Sequence, residues 1–158
     1  MQTFGTCLCF DDEARDAARL YVSVFDGSKI LRESLYLEGS PGEAGTLMSV
    51  EFELGGEYFL ALNGGPVFQL SPAISIMVHC DTQDEIDHIW GALTANGGEE
   101  VQCGWLTDRF GVSWQVVPRE LDAMLVSTDR DAAQRAYTAM LSMVKLDIAA
   151  LESAFAGG

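Results

Sequence analysis

The order of predicted elements constrains the fold of this chain most strongly, because it occurs twice. Residues 1–65 have the pattern of a strand, a helix and three further strands, and residues 73–118 repeat that order. A turn-rich linker around Asn63–Pro66 separates the two halves. The repeat is one of element order and not of residues. The repeated order predicts an α+β chain made of two βαβββ modules.

Local signals define the helix of each module. Apolar residues at helical spacing mark the first helix, and Asp11 and Asp12 are placed to cap it. Thr82 and Glu85 have the spacing of a capping box, which predicts the start of the second helix. The second helix is predicted to end at 96–98, an Asn-Gly-Gly sequence. The first-helix residues are Ala14, Ala17, Ala18, Tyr21 and Phe25.

The segment Cys103–Pro118 reads as two strands around a tight turn. Asp108–Gly111 forms the predicted turn, with Asp108 capping it and Gly111 free to adopt positive φ. Pro118 lacks a backbone donor and is predicted to end the second strand. This pattern predicts an architectural role for the Asp108 carboxylate and for Trp105, which we assign to the core or to an interface.

The residues after Pro118 are predicted to be helical. The stripe Ala133–Val144 keeps helical spacing, with Thr128 or Asp129 as its cap, and Asp147 is placed to cap a last short helix. We therefore divide the chain into paired modules over 1–118 (about 1–65 and 73–118) and a helical extension over 119–158. The extension is predicted to pack on the sheets or on a dimer partner.

Composition narrows the function classes. The net charge of −15 disfavours binding to phosphate backbones and anionic lipid, so neither nucleic acid nor membrane is a predicted partner. No run of consecutive apolar residues approaches the length of a membrane span, which is about 20 residues. A secretory signal is not recognisable. We expect a cytoplasmic protein with four reduced cysteines. Their spacing contains no CxxC pair and predicts no structural zinc site.

Four motifs resemble a known family when taken together and in order. They are Phe59–Pro66, Val78–Glu85, Cys103–Pro118 and Met143–Ile148. They are similar to the PhnB-like (3-demethylubiquinone-9 3-methyltransferase-like) group of the vicinal oxygen chelate superfamily, which includes glyoxalase, bleomycin-resistance and dioxygenase proteins. The resemblance implies the glyoxalase/bleomycin-resistance fold, with curved mixed sheets around a cleft, and a homodimer.

The resemblance also implies where metal ligands would lie. In metal-dependent members, the first and last strands of each module carry side chains that hold a divalent ion. The matching positions here fall near Gly5, at Ala61 or Asn63, at Ser75 and at Gln115. Zinc, nickel and iron favour imidazole, thiolate and carboxylate ligands, so no metal ligand is assigned. No cofactor is predicted, and a divalent metal is disfavoured.

Strand alternation predicts the lining of a ligand pocket. Cys7 and Cys9 would face the cleft, as would Ser75, Met77 and His79, with Ser113 and Gln115 on the opposite wall. The two thiols and the imidazole could form a soft metal site or a nucleophile pair, or could simply fill a strand face. His88 is predicted to lie on the helix surface. The pocket candidates are Cys7, Cys9, Asn63, Ser75, Met77, His79, Ser113 and Gln115.

These features support three functional hypotheses. The first is a PhnB-like homodimer that binds a small organic ligand and lacks the usual metal site, with catalytic residues unknown. The second is a metal-dependent lyase or dioxygenase-type enzyme with nonstandard ligands. The third is a methyltransferase, as the family label suggests, although Asn63–Pro66 reads as a turn rather than as the glycine-rich start of a cofactor-binding helix.

Overall fold

Two compact units make up the chain, and a computed structural model describes all of it, residues 1–158. The first unit spans Met1–Leu70 and the second spans Ser71–Gly158. The first contains β1 (Thr6–Phe10), α1 (Ala14–Val24), β2 (Lys29–Leu35), β3 (Leu47–Leu54) and β4 (Glu57–Asn63). The second contains β5 (Ile76–Cys80), α2 (Gln83–Thr94), β6 (Glu99–Glu100), β7 (Trp105–Thr107), β8 (Ser113–Pro118), α3 (Arg119–Leu125), α4 (Arg130–Leu141) and α5 (Ile148–Ala156).

The same sheet topology occurs in both units. The strand orders are β1-β4-β3-β2 and β5-β8-β7-β6, so the first and last strands of each module are neighbours. These neighbours pair in parallel, whereas the remaining pairs are antiparallel. The predicted α+β class and the repeated βαβββ order are therefore confirmed. No helix is both long enough and apolar enough to cross a membrane.

One face of the N-terminal sheet packs on α1. The small residues of α1 let it approach the sheet closely, and Tyr21 fills the remaining space beside Phe52. Phe52 also stacks on Phe59, with ring centroids 5.4 Å apart. The buried sheet residues on this face are Leu8, Phe10, Val50, Phe52, Phe59 and Ala61.

A residue distant in sequence caps α1. Neither Asp11 nor Asp12 supplies the predicted cap, and the local N-cap residue, Glu13, makes no side-chain cap hydrogen bond. Instead, Asn63 Oδ1 accepts a hydrogen bond from Ala14 N at 2.9 Å. The parallel pairing of β1 with β4 brings the end of β4 beside the start of α1. The prediction from local sequence was wrong because the cap comes through tertiary structure.

The other predicted caps are local and are confirmed. Thr82 and Glu85 form the capping box of α2, in which Thr82 Oγ1 accepts from Glu85 N at 3.2 Å. Asp129 caps α4 and Asp147 caps α5, each by accepting from a backbone amide of the first helical turn. These interactions span three residues, so the sequence already contains the information for them.

The hairpin between β7 and β8 is organised around one buried carboxylate. Asp108 Oδ1 accepts from Phe110 N at 2.9 Å and from Val112 N at 3.1 Å. Its Oδ2 accepts from Trp114 Nε1 at 2.8 Å, and Gly111 has φ of 87°. The predicted turn and the capping role of Asp108 are confirmed.

The helical extension belongs to the C-terminal unit. Its apolar side chains pack at the end of β8 in a cluster of Val117, Leu121, Leu146 and Leu151. The helix α3 within it was not predicted as a separate element. The helix α4 ends at Leu141, so Val144 lies beyond the helix in which it was placed.

Two strands are shorter than the sequence pattern suggests. The strand β5 begins at Ile76 rather than at Ala73, and β6 covers Glu99–Glu100 rather than Val101. Val101 N still donates to Trp105 O of β7 at 2.9 Å, although the paired residues of β6 end at Glu100.

Candidate functional site

Each sheet has a second face that lies opposite its helix, and this face carries most of the predicted pocket residues. In the C-terminal unit, Leu106 and Trp114 are buried together on the helix side. Their strand neighbours therefore point the other way. The pairing register places Trp105, Gln115 and Met77 side by side on β7, β8 and β5. We call this row and the adjoining residues Ser75 and Ser113 the open face.

Two side chains of the open face are joined by a hydrogen bond. Gln115 Nε2 donates to Ser75 Oγ at 2.8 Å. The sequence pattern placed Gln115 and Ser113 on the wall opposite Ser75, but β5 and β8 are adjacent strands of one sheet. This prediction is corrected: Ser75 and Gln115 form one polar group on the same surface.

The hydroxyl of Ser113 is the unusual member of this group. Ser113 is 3% exposed, and its Oγ has no hydrogen-bond partner in the protein. Burying a hydroxyl without a partner is unfavourable, so such groups are candidates for contact with a ligand or an ordered water molecule. Met77 is half-exposed and presents a flexible apolar side chain beside Gln115.

His79 is held by the helical extension. Its Nε2 lies 3.0 Å from Asp122 Oδ2 of α3, and its side chain is 33% exposed. An adjacent ion pair joins Arg119 to Asp81 at 2.6 Å, which ties α3 to the end of β5 a second time. The structure thus gives His79 a carboxylate partner and not the thiol that the nucleophile hypothesis requires. His88 is exposed on α2, as predicted.

Trp105 was missed as a member of this site. The sequence predicts a place in the core or at an interface. Its partial exposure argues against the core, and its pairing with Gln115 places it on the open face. The available signal in the sequence was that Trp105 precedes the apolar Leu106, so that the two side chains point to opposite faces of the strand. It was hard to use because β7 has only three residues.

The positions that correspond to metal ligands do not fit a divalent cation. Tyr58 lies against Gly5, in the space that a side chain there would enter. Asn63 uses both ends of its amide in the fold, since Nδ2 donates to Leu47 O at 3.2 Å and Oδ1 caps α1. Ala61 is buried on the face that packs against α1. With Ser75 and Gln115 bound to each other, this neutral donor set is a poor match for zinc, nickel or iron.

Cys7 and Cys9 lie on the face of the N-terminal sheet opposite α1. They are alternate residues of β1, and their neighbours on β4 are Leu60 and Leu62. Burial raises the pKa of the Cys7 thiol, and the nearby Cys9 raises it further. All four cysteines are free. Nowhere do three or more His, Cys, Asp or Glu side chains form a group that could hold a metal ion.

A cavity of about 450 Å³ lies at the ends of β1 and β4 in the N-terminal unit. Its backbone is already engaged: Gly64 N donates to Phe10 O at 2.8 Å, and Gly65 N donates to Asp11 O at 3.2 Å. The hydroxyl of Tyr36 donates to Asn63 O. The glycine pair thus extends the hydrogen bonding of β4 with β1. The turn predicted at Asn63–Pro66 begins only at Pro66. The two glycine amides are not available to a phosphate group.

The paired βαβββ modules and their sheet order define a protein with the glyoxalase and bleomycin-resistance fold. Residues 2–117 match the model of the family described as 3-demethylubiquinone-9 3-methyltransferase. The chain belongs to this PhnB-like family. No curated protein matches the sequence.

Solved structures agree with this assignment. A PhnB protein from Bacillus cereus is 34% identical with a TM-score of 0.67, and the match covers 74% of this chain and 99% of that protein. A protein from Pseudomonas aeruginosa is 23% identical with a TM-score of 0.61, covering 75% and 98%. The fosfomycin resistance protein FosX from Listeria monocytogenes, solved with Mn(II) and sulfate, is 16% identical with a TM-score of 0.57, covering 78% and 97%. The last two matches concern the fold alone.

Proposed function

We propose that the chain binds a small, neutral organic molecule on the open face of the C-terminal sheet and that it lacks the metal site of its metal-dependent relatives. The observation that carries the proposal is the Ser75–Gln115 hydrogen bond beside the buried, unpartnered hydroxyl of Ser113. A polar group of this kind, flanked by apolar side chains, is typical of ligand sites.

The hydrogen-bonding capacity of these residues suggests the kind of ligand. Gln115 uses one amide hydrogen on Ser75, which leaves its carbonyl oxygen as an acceptor. Ser75 keeps a hydroxyl hydrogen to donate. Trp105 and Met77 flank this pair and offer an aromatic surface and a thioether. A planar molecule with an adjacent donor and acceptor, such as a primary amide, complements this arrangement.

The alternatives have weaker support. A metal-dependent enzyme would need at least three suitable donors, whereas the matching positions offer neutral side chains that the fold itself uses. A methyltransferase of the usual kind binds its cofactor at a glycine-rich turn of an open parallel sheet. Here each sheet has a single parallel pair, and the amides of Gly64 and Gly65 make internal hydrogen bonds.

Benzamide, benzoate and benzylammonium test the proposal, because they share a ring and differ in the charge of the polar group. Of the three compounds, we expect only benzamide to bind. Its binding should reach saturation in saturation-transfer NMR titrations and should change the tryptophan fluorescence. The variant Gln115→Met keeps the side-chain length but removes the hydrogen bonds. It should weaken benzamide binding about tenfold, since one or two hydrogen bonds contribute about 0.5–1.5 kcal/mol each.

Gln134→Met is the matched control, since Gln134 is an exposed glutamine on α4. Its binding of benzamide should equal that of the unaltered protein. Equal binding by Gln115→Met, or a preference for either charged compound, would contradict the proposal. Stoichiometric zinc, nickel or iron in protein purified without chelators would contradict the absence of the divalent metal site of the metal-dependent relatives.

We also propose a homodimer in the cytoplasm. Free cysteines suit a reducing compartment. Large apolar side chains are exposed in each unit, including Val67 and Phe68 in the N-terminal unit and Ile74 in the C-terminal unit. Sedimentation velocity should show a dimer that Phe68→Asp weakens and that Val126→Asp, at an exposed site after α3, leaves unchanged. A monomer at micromolar concentration would contradict the proposal.

A further inference from the structure

The thiols of Cys7 and Cys9 form a pair that the proposed ligand site does not use. They project from the same face of β1, because alternate residues of a strand point the same way. Cys7 is exposed and Cys9 is partly exposed, so both are accessible from this face. They therefore form an accessible dithiol held at fixed spacing by the sheet.

Strand geometry opposes closure of this dithiol into a disulfide. Alternate Cα atoms of a strand are about 6.6 Å apart, near the upper end of the range seen in disulfides. Their Cα–Cβ bonds also run side by side, whereas a disulfide needs the Cβ atoms about 3.8 Å apart. The pairing of β1 with β4 holds Cys7 opposite Leu60 and Cys9 opposite Leu62, which fixes this geometry.

The surroundings favour a soft cation over a hard one. Leu60 and Leu62 border the two thiols and offer no oxygen ligand. Thiolate sulfur is a soft ligand that prefers a soft cation. A cation bound between the two sulfur atoms takes the place of their protons.

We propose that Cys7 and Cys9 bind one Cu(I) ion as a two-coordinate dithiolate site. Thiolates favour Cu(I), zinc and iron–sulfur clusters, and of these Cu(I) accepts two ligands, whereas structural zinc requires four. In the binding step, Cu(I) forms two Cu–S bonds as both thiols release their protons to solvent. Copper and sulfur keep their oxidation states, and the site gains a net charge of −1. The site lies in the N-terminal unit and does not depend on the proposed ligand site.

The test is anaerobic titration of the reduced, full-length protein with Cu(I) in competition with bicinchoninate, whose Cu(I) complex is coloured. We expect about one copper per chain, because the two thiolates supply a complete ligand set. Both Cys7→Ser and Cys9→Ser should abolish this binding. Cys103→Ser, which removes another partly exposed thiol, should retain it. Circular dichroism checks that each variant is folded.

Three results would overturn the proposal. The first is stoichiometric binding that survives either Cys7→Ser or Cys9→Ser in folded protein, because the site needs both thiolates. The second is one copper for every two chains, which would indicate a site shared between copies. The third is failure of the unaltered protein to remove copper from bicinchoninate. Zn(II), added as a comparison, should not occupy the pair.

Discussion

Replacement of Asp108 by alanine is expected to lower the free energy of unfolding of the C-terminal unit by on the order of 4 kcal/mol, because unpaired buried donors cost about 1–3 kcal/mol each. The carboxylate accepts hydrogen bonds from Phe110 N, Val112 N and Trp114 Nε1, and the residue is 3% exposed. Alanine removes this shared acceptor from all three donors, and two of the three hydrogen bonds are buried.

Urea unfolding followed by tryptophan fluorescence measures this loss selectively, because all three tryptophans lie in the C-terminal unit. Asp129→Ala is the control, since Asp129 caps α4 through one hydrogen bond at an exposed position. Asp129→Ala should lower the free energy of unfolding by about 1 kcal/mol. If Asp108→Ala is no more destabilising than Asp129→Ala, the hairpin does not depend on the carboxylate in the way the structure indicates.

Gly104→Ala is expected to destabilise the same unit by about 3 kcal/mol, from left-handed backbone strain and overpacking together. Gly104 has φ of 80°, and an added Cβ would lie 2.9 Å from both Val116 O and Leu146 Cδ1. The backbone at Gly104 also accepts from Val116 N and donates to Val144 O. Movement away from the clash would therefore disturb β8 and the segment after α4 together.

The matched control for this substitution is Gly97→Ala. Gly97 has φ of 111°, and the nearest atom to an added Cβ is Arg109 Cβ at 3.9 Å. Gly97→Ala introduces the backbone strain but no steric clash, so it should lower the free energy of unfolding by about 1–2 kcal/mol. Similar unfolding free energies for the two variants would mean that the contact of Gly104 with Val116 and Leu146 is not restrictive.

Local sequence was sufficient wherever the interacting groups are close along the chain. The capping box of Thr82 and Glu85 spans three residues, and the Asp108 turn is closed by Gly111. The α1 stripe could be assigned to a buried face for the same reason, because helical spacing alone brings its apolar residues together. The repeated order of strands and helices then indicated the fold.

The candidate site was less accessible to sequence reasoning. Alternation correctly grouped Ser75 with Met77, but it could not show that Gln115 belongs to the adjacent strand of the same sheet. Trp105 was assigned elsewhere because its strand is short. Ser113 was named as a pocket residue, yet its buried and unpartnered hydroxyl is visible only once the chain is folded.

The sequence by itself determined the two modules, the local helix caps and the hairpin turn, because short-range periodicity and backbone hydrogen bonding specify them. The tertiary structure decided that Asn63 caps α1, that Tyr58 lies against Gly5 and that Ser75 binds Gln115. All three contacts depend on the parallel pairing between the first strand and the last strand of a module. Such pairing joins residues about forty to fifty positions apart, and no local pattern encodes its register.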